Sequence, residues 1–373
     1  MMKILFAGGG TAGHINPSIA VADYIKKRHP EAELFYIGTK RGLESKLVPA
    51  AGIKFYTIDV EGFQRRLSLE NIKRNISAAS KILGAASAAR KLLKEIQPDV
   101  VMGTGGYVSG PVLLEASKLG IKCCIHEQNA FAGKANKALA PKVDAVMLAM
   151  PEAERFFKCK NKPIITGNPV RESVIEMKKS DARKQLGLDE RPMILSFGGS
   201  LGARRINEAA ADIMSWHWKT GKYTHFHATG KYGVELMPRL LEERGVDINC
   251  ENLRISEYIN NMDVMLAAAD LVICRSGAIT VSELQAQSKP ALLIPSPNVA
   301  ENHQYFNAMT LVNKGAAAII EEKDLTAESV IAEVSSLLET PGKLEQMAEN
   351  SGKGAILDTN KRIYDVIMNL YNS

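Results

Sequence analysis

Residues 2–14 read MKILFAGGGTAGH, and residues 192–203 read PMILSFGGSLGA. Each stretch passes from an apolar run into a glycine-rich turn. Each is followed by an amphipathic pattern, from about Asn16 to Arg28 in the first half and from about Ile206 in the second. A short apolar run closed by glycines reads as a buried strand, and a 3.6-residue period after it as a helix. Strand, glycine turn and helix, met twice in one chain, predict two domains of the same build rather than one large sheet. Further strand-like runs fall at 34–37, 100–102 and 122–126, then at 225–228, 271–274 and 291–294. Strands alternating with helices predict an α/β fold, with two doubly wound parallel sheets covered by helices on both faces.

The 373 residues suffice for two domains, and 46% hydrophobic with 24% charged residues is ordinary globular composition. Residues 160–171 (KNKPIITGNPVR) hold two prolines, a glycine and two asparagines, which marks the joint. The expected division is 1–163, joined by a C-terminal helix at about 356–373, and 164–355. No apolar run reaches the roughly 18–20 residues that span a bilayer. The N-terminal run lacks the length and cleavage pattern of a signal peptide, so a cytoplasmic protein is expected. Cys123, Cys124, Cys159, Cys250 and Cys274 show neither CxxC nor metal-ligand spacing and read as buried thiols.

The net charge is +6, and residues 62–94 alone carry +7. There Arg65, Arg66, Lys73, Arg74, Lys81, Arg90, Lys91 and Lys94 stand against Glu70. Leu67, Leu69, Ile72, Ile76, Ile82 and Leu83 lie among them. A helix with basic and apolar surfaces can sit on anionic lipid; equally, its apolar positions can face a core. Aromatic residues are not interleaved with the charges and no nucleic-acid recognition motif is present, so no nucleic acid is expected as partner.

Three glycine loops follow strands: residues 8–14 (GGGTAGH), 103–110 (GTGGYVSG) and 198–202 (GGSLG). Such loops bring backbone N–H groups and a helix N-terminus to an anion, and the missing Cβ atoms let a phosphate or sugar approach. One loop alone serves a plain turn as well; three point to a phosphate site beyond the carboxyl ends of the strands. A nicotinamide cofactor would need an acid after the second strand. Gly38-Thr39-Lys40 and Ala228-Thr229-Gly230 offer none, and GxxxxGK[ST] is absent. Residues 274–283 (CRSGAITVSE) form a strand end, a turn and a helix start, where Arg275 can add charge at a diphosphate. Glu283 lies one to two turns in, placed to accept two vicinal hydroxyls or to offset the helix dipole. The polar loop through Pro295-Ser296-Pro297-Asn298 and Glu301-Asn302-His303-Gln304 suits sugar recognition.

GGGTAGH, GTGGYVSGP, HEQN (126–129), GNPVR (167–171), GGSLGAR, CRSGAITVSE and HQYFNA (303–308) occur in that order. Together they resemble the MurG family of bacterial N-acetylglucosaminyltransferases of peptidoglycan synthesis, from residue 2 to about 310 and loosely to the end. The resemblance implies a GT-B fold, two Rossmann-like domains facing a cleft. It implies inverting transfer of GlcNAc from UDP-GlcNAc to the MurNAc 4-hydroxyl of lipid I, giving lipid II and UDP. It places the protein at the cytoplasmic face of the cell membrane, as a peripheral protein in contact with an anionic surface and with other cell-wall synthesis proteins. Thr11, Ala12, Gly13 and Asn129 match positions that reach the donor sugar. Arg171, Ser200, Ile259, Ala278, Ile279, Thr280, Val281, Ser282, Glu283 and Gln304 match donor-binding positions. Ile259 would pack near the uracil. Leu201 stands where many members carry Gln, so no polar contact is assigned to it. Alternatives of other classes are a UDP-sugar epimerase of the same fold and a non-catalytic nucleotide-sugar-binding protein.

An acceptor hydroxyl is a poor nucleophile near neutral pH and needs a general base; the departing diphosphate needs N–H donors or cations. His14, after the first glycine loop, is the first candidate base, since an imidazole titrates at about 6.5. A histidine that only braces the loop is the alternative. Glu127 is the second candidate base and His126 a weaker one. By the same resemblance Tyr107, in the second loop, is expected to face the acceptor. There is no DxD and no HExxH. Helix N-termini with Arg171 or Arg275 are therefore expected to hold the diphosphate, with no cofactor and no obligatory protein-bound metal.

Overall fold

The computed structural model describes residues 1–60 and 84–373. The chain divides into two compact units, residues 1–169 with 358–373, and residues 170–357.

The first unit is built on β1 (Lys3–Ala7), α1 (Ala12–Arg28), β2 (Glu33–Gly38), α2 (Glu44–Ala50) and β3 (Lys54–Thr57). The described residues 84–96 are helical (α3). Then come β4 (Val100–Gly103), α4 (Gly106–Lys118), β5 (Lys122–Glu127), α5 (Lys134–Leu139), β6 (Ala145–Leu148) and β7 (Ile164–Ile165). The strands lie in the order β3-β2-β1-β4-β5-β6-β7, and every pair is parallel. Strand side chains alternate between faces, so neighbours in sequence enter different cores. Leu5, Ala7, Val101, Cys123 and Ile125 pack beneath α3 and α4 with Ala85, Ala89, Leu93, Val108 and Val112. Ile4, Phe6, Val100, Met102 and Cys124 pack on the other face beneath α1, with Ile15, Val21 and Ile25.

The C-terminal helix, Thr359–Tyr371, completes that second core with Ile363, Val366 and Ile367. Its Tyr364 hydroxyl meets His29 Nε2 at 2.7 Å, and its ring packs edge-on against Tyr24. The amphipathic tail is thus part of the first unit. Residues 61–83, the greater part of the basic segment, lie outside the described residues. In the described remainder Ala85, Ala89 and Leu93 are buried, Lys91 and Lys94 are exposed, and Arg90 pairs with Glu115 at 3.3 Å.

The second unit repeats the plan with α6 (Glu172–Glu176), α7 (Lys179–Leu186), β8 (Met193–Phe197), α8 (Arg204–His217), β9 (Thr224–Ala228), α9 (Leu236–Glu243) and β10 (Leu253–Ser256). It continues through α10 (Met262–Ala268), β11 (Leu271–Cys274), α11 (Ala278–Ala286), β12 (Ala291–Leu293), α12 (His303–Val312), β13 (Ala317–Ile319), α13 (Ala327–Glu339) and α14 (Lys343–Gly352). The order is β10-β9-β8-β11-β12-β13, again all parallel. In each sheet the order reverses once, between β1 and β4 and between β8 and β11. Loops leaving such a pair diverge and open a crevice at the carboxyl ends of the strands. The three glycine loops leave β1, β4 and β8.

Candidate active site

In the first unit Ala7 and Gly103 are register partners, so the loops after β1 and β4 start side by side. Gly106 has φ +77°, and a Cβ there would collide with the Gly9 carbonyl. Only glycine lets the two loops lie this close. Buried polar side chains stitch them together. Thr104 Oγ1 donates to the His14 carbonyl at 2.6 Å, and Ser109 Oγ to the Ala7 carbonyl at 2.7 Å. The buried Glu44 carboxylate accepts from Gly10 N at 3.3 Å and from Thr39 N and Oγ1 at 3.0 and 2.8 Å.

His14 is the third residue of α1, after the extended N-cap Thr11. Its ring lies over Gly105, where an added Cβ would be 3.0 Å from Cε1 and Nδ1. Tyr107 lies likewise over Gly10, 3.1 Å from the Cβ that glycine lacks. His14 Nδ1 is 3.1 Å from Gln128 Oε1. Gln128 Nε2 contacts His126 Nδ1 at 3.1 Å and donates to the His126 carbonyl at 3.0 Å, and His126 Nε2 meets the Gly167 carbonyl at 2.9 Å. His126 is wholly buried, and burial pushes its pKa below the ordinary imidazole value.

The two other base candidates are engaged elsewhere. Glu127 is 1% exposed. Its Oε1 accepts from Asn129 N and Nδ2 at 3.0 and 3.1 Å, its Oε2 from Gly133 N and Asn136 Nδ2 at 2.9 and 3.0 Å. Four N–H donors fill the lone-pair directions of a carboxylate. Glu127 therefore closes the loop between β5 and α5, and that loop presents Asn129. His126 has both ring nitrogens in buried hydrogen bonds.

In the second unit Gly202 and Gly230 meet backbone to backbone, joining the loop after β8 to the loop after β9. Lys231 N and Tyr232 N donate to the Ser200 and Leu201 carbonyls at 3.3 and 3.1 Å. Ser200 and Leu201 stand exposed at the tip, and Ile259 is buried beyond the end of β10. Helix α11 is N-capped by Gly277, which brings no side-chain acceptor to the helix N-terminus. Its first backbone bond runs from Val281 N to the Gly277 carbonyl at 2.9 Å.

Glu283 faces Arg171 at 3.6 Å, with Glu283 15% and Arg171 55% exposed. Burial raises the Glu283 pKa, and Arg171 opposes that shift. Gln304 Oε1 accepts from Ser296 N at 2.8 Å, and its carbonyl accepts from Ser276 Oγ at 2.8 Å, which draws the loops after β11 and β12 together. Glu301 and Asn302, just before α12, hold left-handed φ of 53° and 49°. Strained non-glycine backbone of this kind gathers at ligand sites.

Arg275, expected to add charge at a diphosphate, is engaged within the second unit. Its guanidinium donates to the Ile294 carbonyl at 2.9 Å and pairs with Glu322, both side chains being largely buried. Arg171 is the more exposed of the two cations. Gln128, Glu44 and Thr104 have positions that the sequence did not announce. Gln128 stood inside HEQN, but only folding sets it between two histidines. Among the described residues no group of three or more His, Cys, Asp or Glu is placed to hold a metal ion. No helix among them is long and apolar enough to cross a membrane.

Residues 4–148 match the glycosyltransferase family 28 N-terminal domain and residues 193–365 its C-terminal domain. A protein of Acetivibrio thermocellus named UDP-N-acetylglucosamine--N-acetylmuramyl-(pentapeptide) pyrophosphoryl-undecaprenol N-acetylglucosamine transferase is 43% identical, over 99% of this chain and 98% of the relative. A Thermoanaerobacter protein of the same name is 42% identical over 99% of this chain and 100% of its own. The crystal structure of Acinetobacter baumannii MurG superposes with a TM-score of 0.80 at 29% identity, covering 99% of this chain and 100% of that one. The UDP-GlcNAc 2-epimerase of Neisseria meningitidis, at 14% identity and a TM-score of 0.66 over 99% of this chain and 100% of its own, shares the fold alone.

Proposed function

The chain belongs to glycosyltransferase family 28, and on that premise we propose how its residues act. The enzyme is an N-acetylglucosaminyltransferase of GT-B fold that moves GlcNAc from UDP-GlcNAc to lipid I, giving lipid II for peptidoglycan synthesis. The observation that carries this reading is the match to named transferases over nearly the whole of both chains.

The MurNAc 4-hydroxyl attacks the anomeric carbon from the face opposite UDP. The C1–O bond to the β-phosphate breaks, its electron pair leaves with UDP, and the configuration inverts. His14 takes the hydroxyl proton, and Tyr107 orients the acceptor beside it. The reading is supported by the ring position of His14 over Gly105 and by the four donors that already fill the Glu127 carboxylate.

For the donor, the N-terminus of α11 (Ala278, Ile279, Thr280) and Ser200 meet the diphosphate with backbone N–H groups and a hydroxyl, and Arg171 supplies the cation. Arg275 is a brace that holds the loop after β11. Glu283 accepts the ribose hydroxyls, Ile259 packs on the uracil, and Gln304 binds the sugar. Val281 and Ser282 shape the same helix turn. Thr11, Ala12, Gly13 and Asn129 contact GlcNAc. The test is UDP release from UDP-GlcNAc with a lipid I analogue. Release that depends on the acceptor supports transfer, whereas donor turnover without acceptor would indicate an epimerase or hydrolase.

The acceptor carries a lipid tail, so residues 62–94 are proposed to dock on the anionic cytoplasmic leaflet, each basic residue near the surface adding about 1 kcal/mol. Sedimentation with anionic vesicles at low salt, lost at high salt, is expected. No sedimentation at low salt would refute docking. Contacts with other cell-wall synthesis proteins belong to the same proposal.

A further inference from the structure

We propose that Gln128 is a positioning residue that fixes the His14 ring as its Nδ1–H tautomer, so that Nε2 holds the lone pair that takes the acceptor proton. The proposal rests on the reading of His14 as the base. Two backbone carbonyls anchor it, because a carbonyl can only accept.

The Gly167 carbonyl, 2.9 Å from His126 Nε2, requires the His126 proton to be on Nε2. His126 is fully buried and neutral, so its Nδ1 can only accept. The His126 carbonyl receives one proton of the Gln128 amide at 3.0 Å, and His126 Nδ1 receives the other at 3.1 Å. Both amide protons are thereby engaged, and the amide oxygen is the atom facing His14. Turning the amide over would set its oxygen against the His126 carbonyl and against a ring lone pair, leaving buried polar atoms without partners. The amide oxygen, 3.1 Å from His14 Nδ1, can only accept. The His14 proton therefore sits on Nδ1, and the neutral ring carries its lone pair on Nε2. A carboxylate in place of Gln128 would also accept from Nδ1–H, but it could not donate to His126. A glutamine orients the base without adding a charge beside it.

The experiment is a two-bond ¹H–¹⁵N spectrum of ¹⁵N-histidine-labelled full-length protein above the histidine titration range. The chain has 7 histidines, and the His14 signals are those lost in His14→Gln. A protonated Nδ1 and a free Nε2 are expected for His14; a proton on Nε2 overturns the proposal. This readout needs no variant at Gln128. Gln128→Met, of similar length, should restore tautomer exchange and lower kcat roughly 10-fold, part of the 10²–10⁴ that a general base contributes, with KM for UDP-GlcNAc kept within about 2-fold. Unchanged kcat and an unchanged His14 spectrum in that variant would also overturn it. Near-normal turnover in His14→Ala would remove the base reading and this proposal with it. Inactive His14→Ala, together with a wild-type ring protonated on Nε2, would leave the base and refute the positioning by Gln128 alone.

Discussion

Acid should unfold the second unit well before carboxylate titration is complete, because a chain of buried neutral histidines lies in its core. His217 Nε2 meets His225 Nδ1 at 3.3 Å, and Ser196 Oγ lies 2.8 Å from both His225 Nε2 and His227 Nδ1. His227 Nε2 ends the chain on Asn207 Oδ1 at 3.1 Å. All three rings are buried, and burial pushes His217 and His227 down to about 4 and His225 well below the ordinary value. An unfolded histidine takes a proton below about 6.5, whereas these hold out to lower pH. The unfolded state therefore binds more protons in that window, and stability is lost as pH falls from about 6.5 towards 4. At pH 5 His217 and His227 each remove about 2 kcal/mol, and the lowered His225 acts in the same direction. A domain holds only about 5–15 kcal/mol.

The readout is built in. The chain's two tryptophans, Trp216 and Trp218, flank His217, and Trp216 stacks on Tyr223 at 5.7 Å. Urea titrations followed by tryptophan fluorescence at pH 7 and pH 5 thus report this unit. A fall of several kcal/mol in unfolding free energy is expected. Equal values at the two pH values would refute the neutral buried chain.

Four further perturbations separate structural roles from ligand contact. Glu283→Ala should weaken UDP-GlcNAc binding roughly 10- to 100-fold, the worth of hydrogen bonds to a charged group, and calorimetry showing no change would remove its ribose role. Arg275→Ala strands the largely buried Glu322 and should cost about 3–5 kcal/mol of stability. Arg171→Ala, whose guanidinium is half exposed, should cost less stability than Arg275→Ala in urea titrations while raising KM for the donor. Gly106→Ala should lose about 1–3 kcal/mol or more, from its left-handed φ and from collision with the Gly9 carbonyl, seen as a lower Tm together with loss of turnover.

The repeated strand, glycine turn and helix made both sheets readable from sequence, since buried parallel strands are apolar runs with sharp ends. The strands that escaped notice are short or lie towards the sheet edges. Lys54–Thr57 shows little burial, Ile164–Ile165 has two residues, and Ala317–Ile319 reads as helix as easily as strand. Alternation of apolar and polar residues is weak where one side of a strand lacks a neighbour.

At the site, the glycine loops were visible because close approach constrains residue type. The partners of the charged groups were not. Glu322 lies 47 residues from Arg275, and Glu44 lies 34 from Gly10. Only the tertiary fold brings Arg275 to Glu322, and Asn129, Gly133 and Asn136 to the Glu127 carboxylate.

His14 is proposed to take the proton of the attacking hydroxyl. The most direct measurement is acceptor-dependent UDP release by His14→Ala at saturating UDP-GlcNAc, with donor Kd measured alongside. Loss of the base should lower kcat roughly 10²–10⁴-fold with Kd changed by less than about 2-fold. Turnover near that of the unaltered enzyme would contradict it.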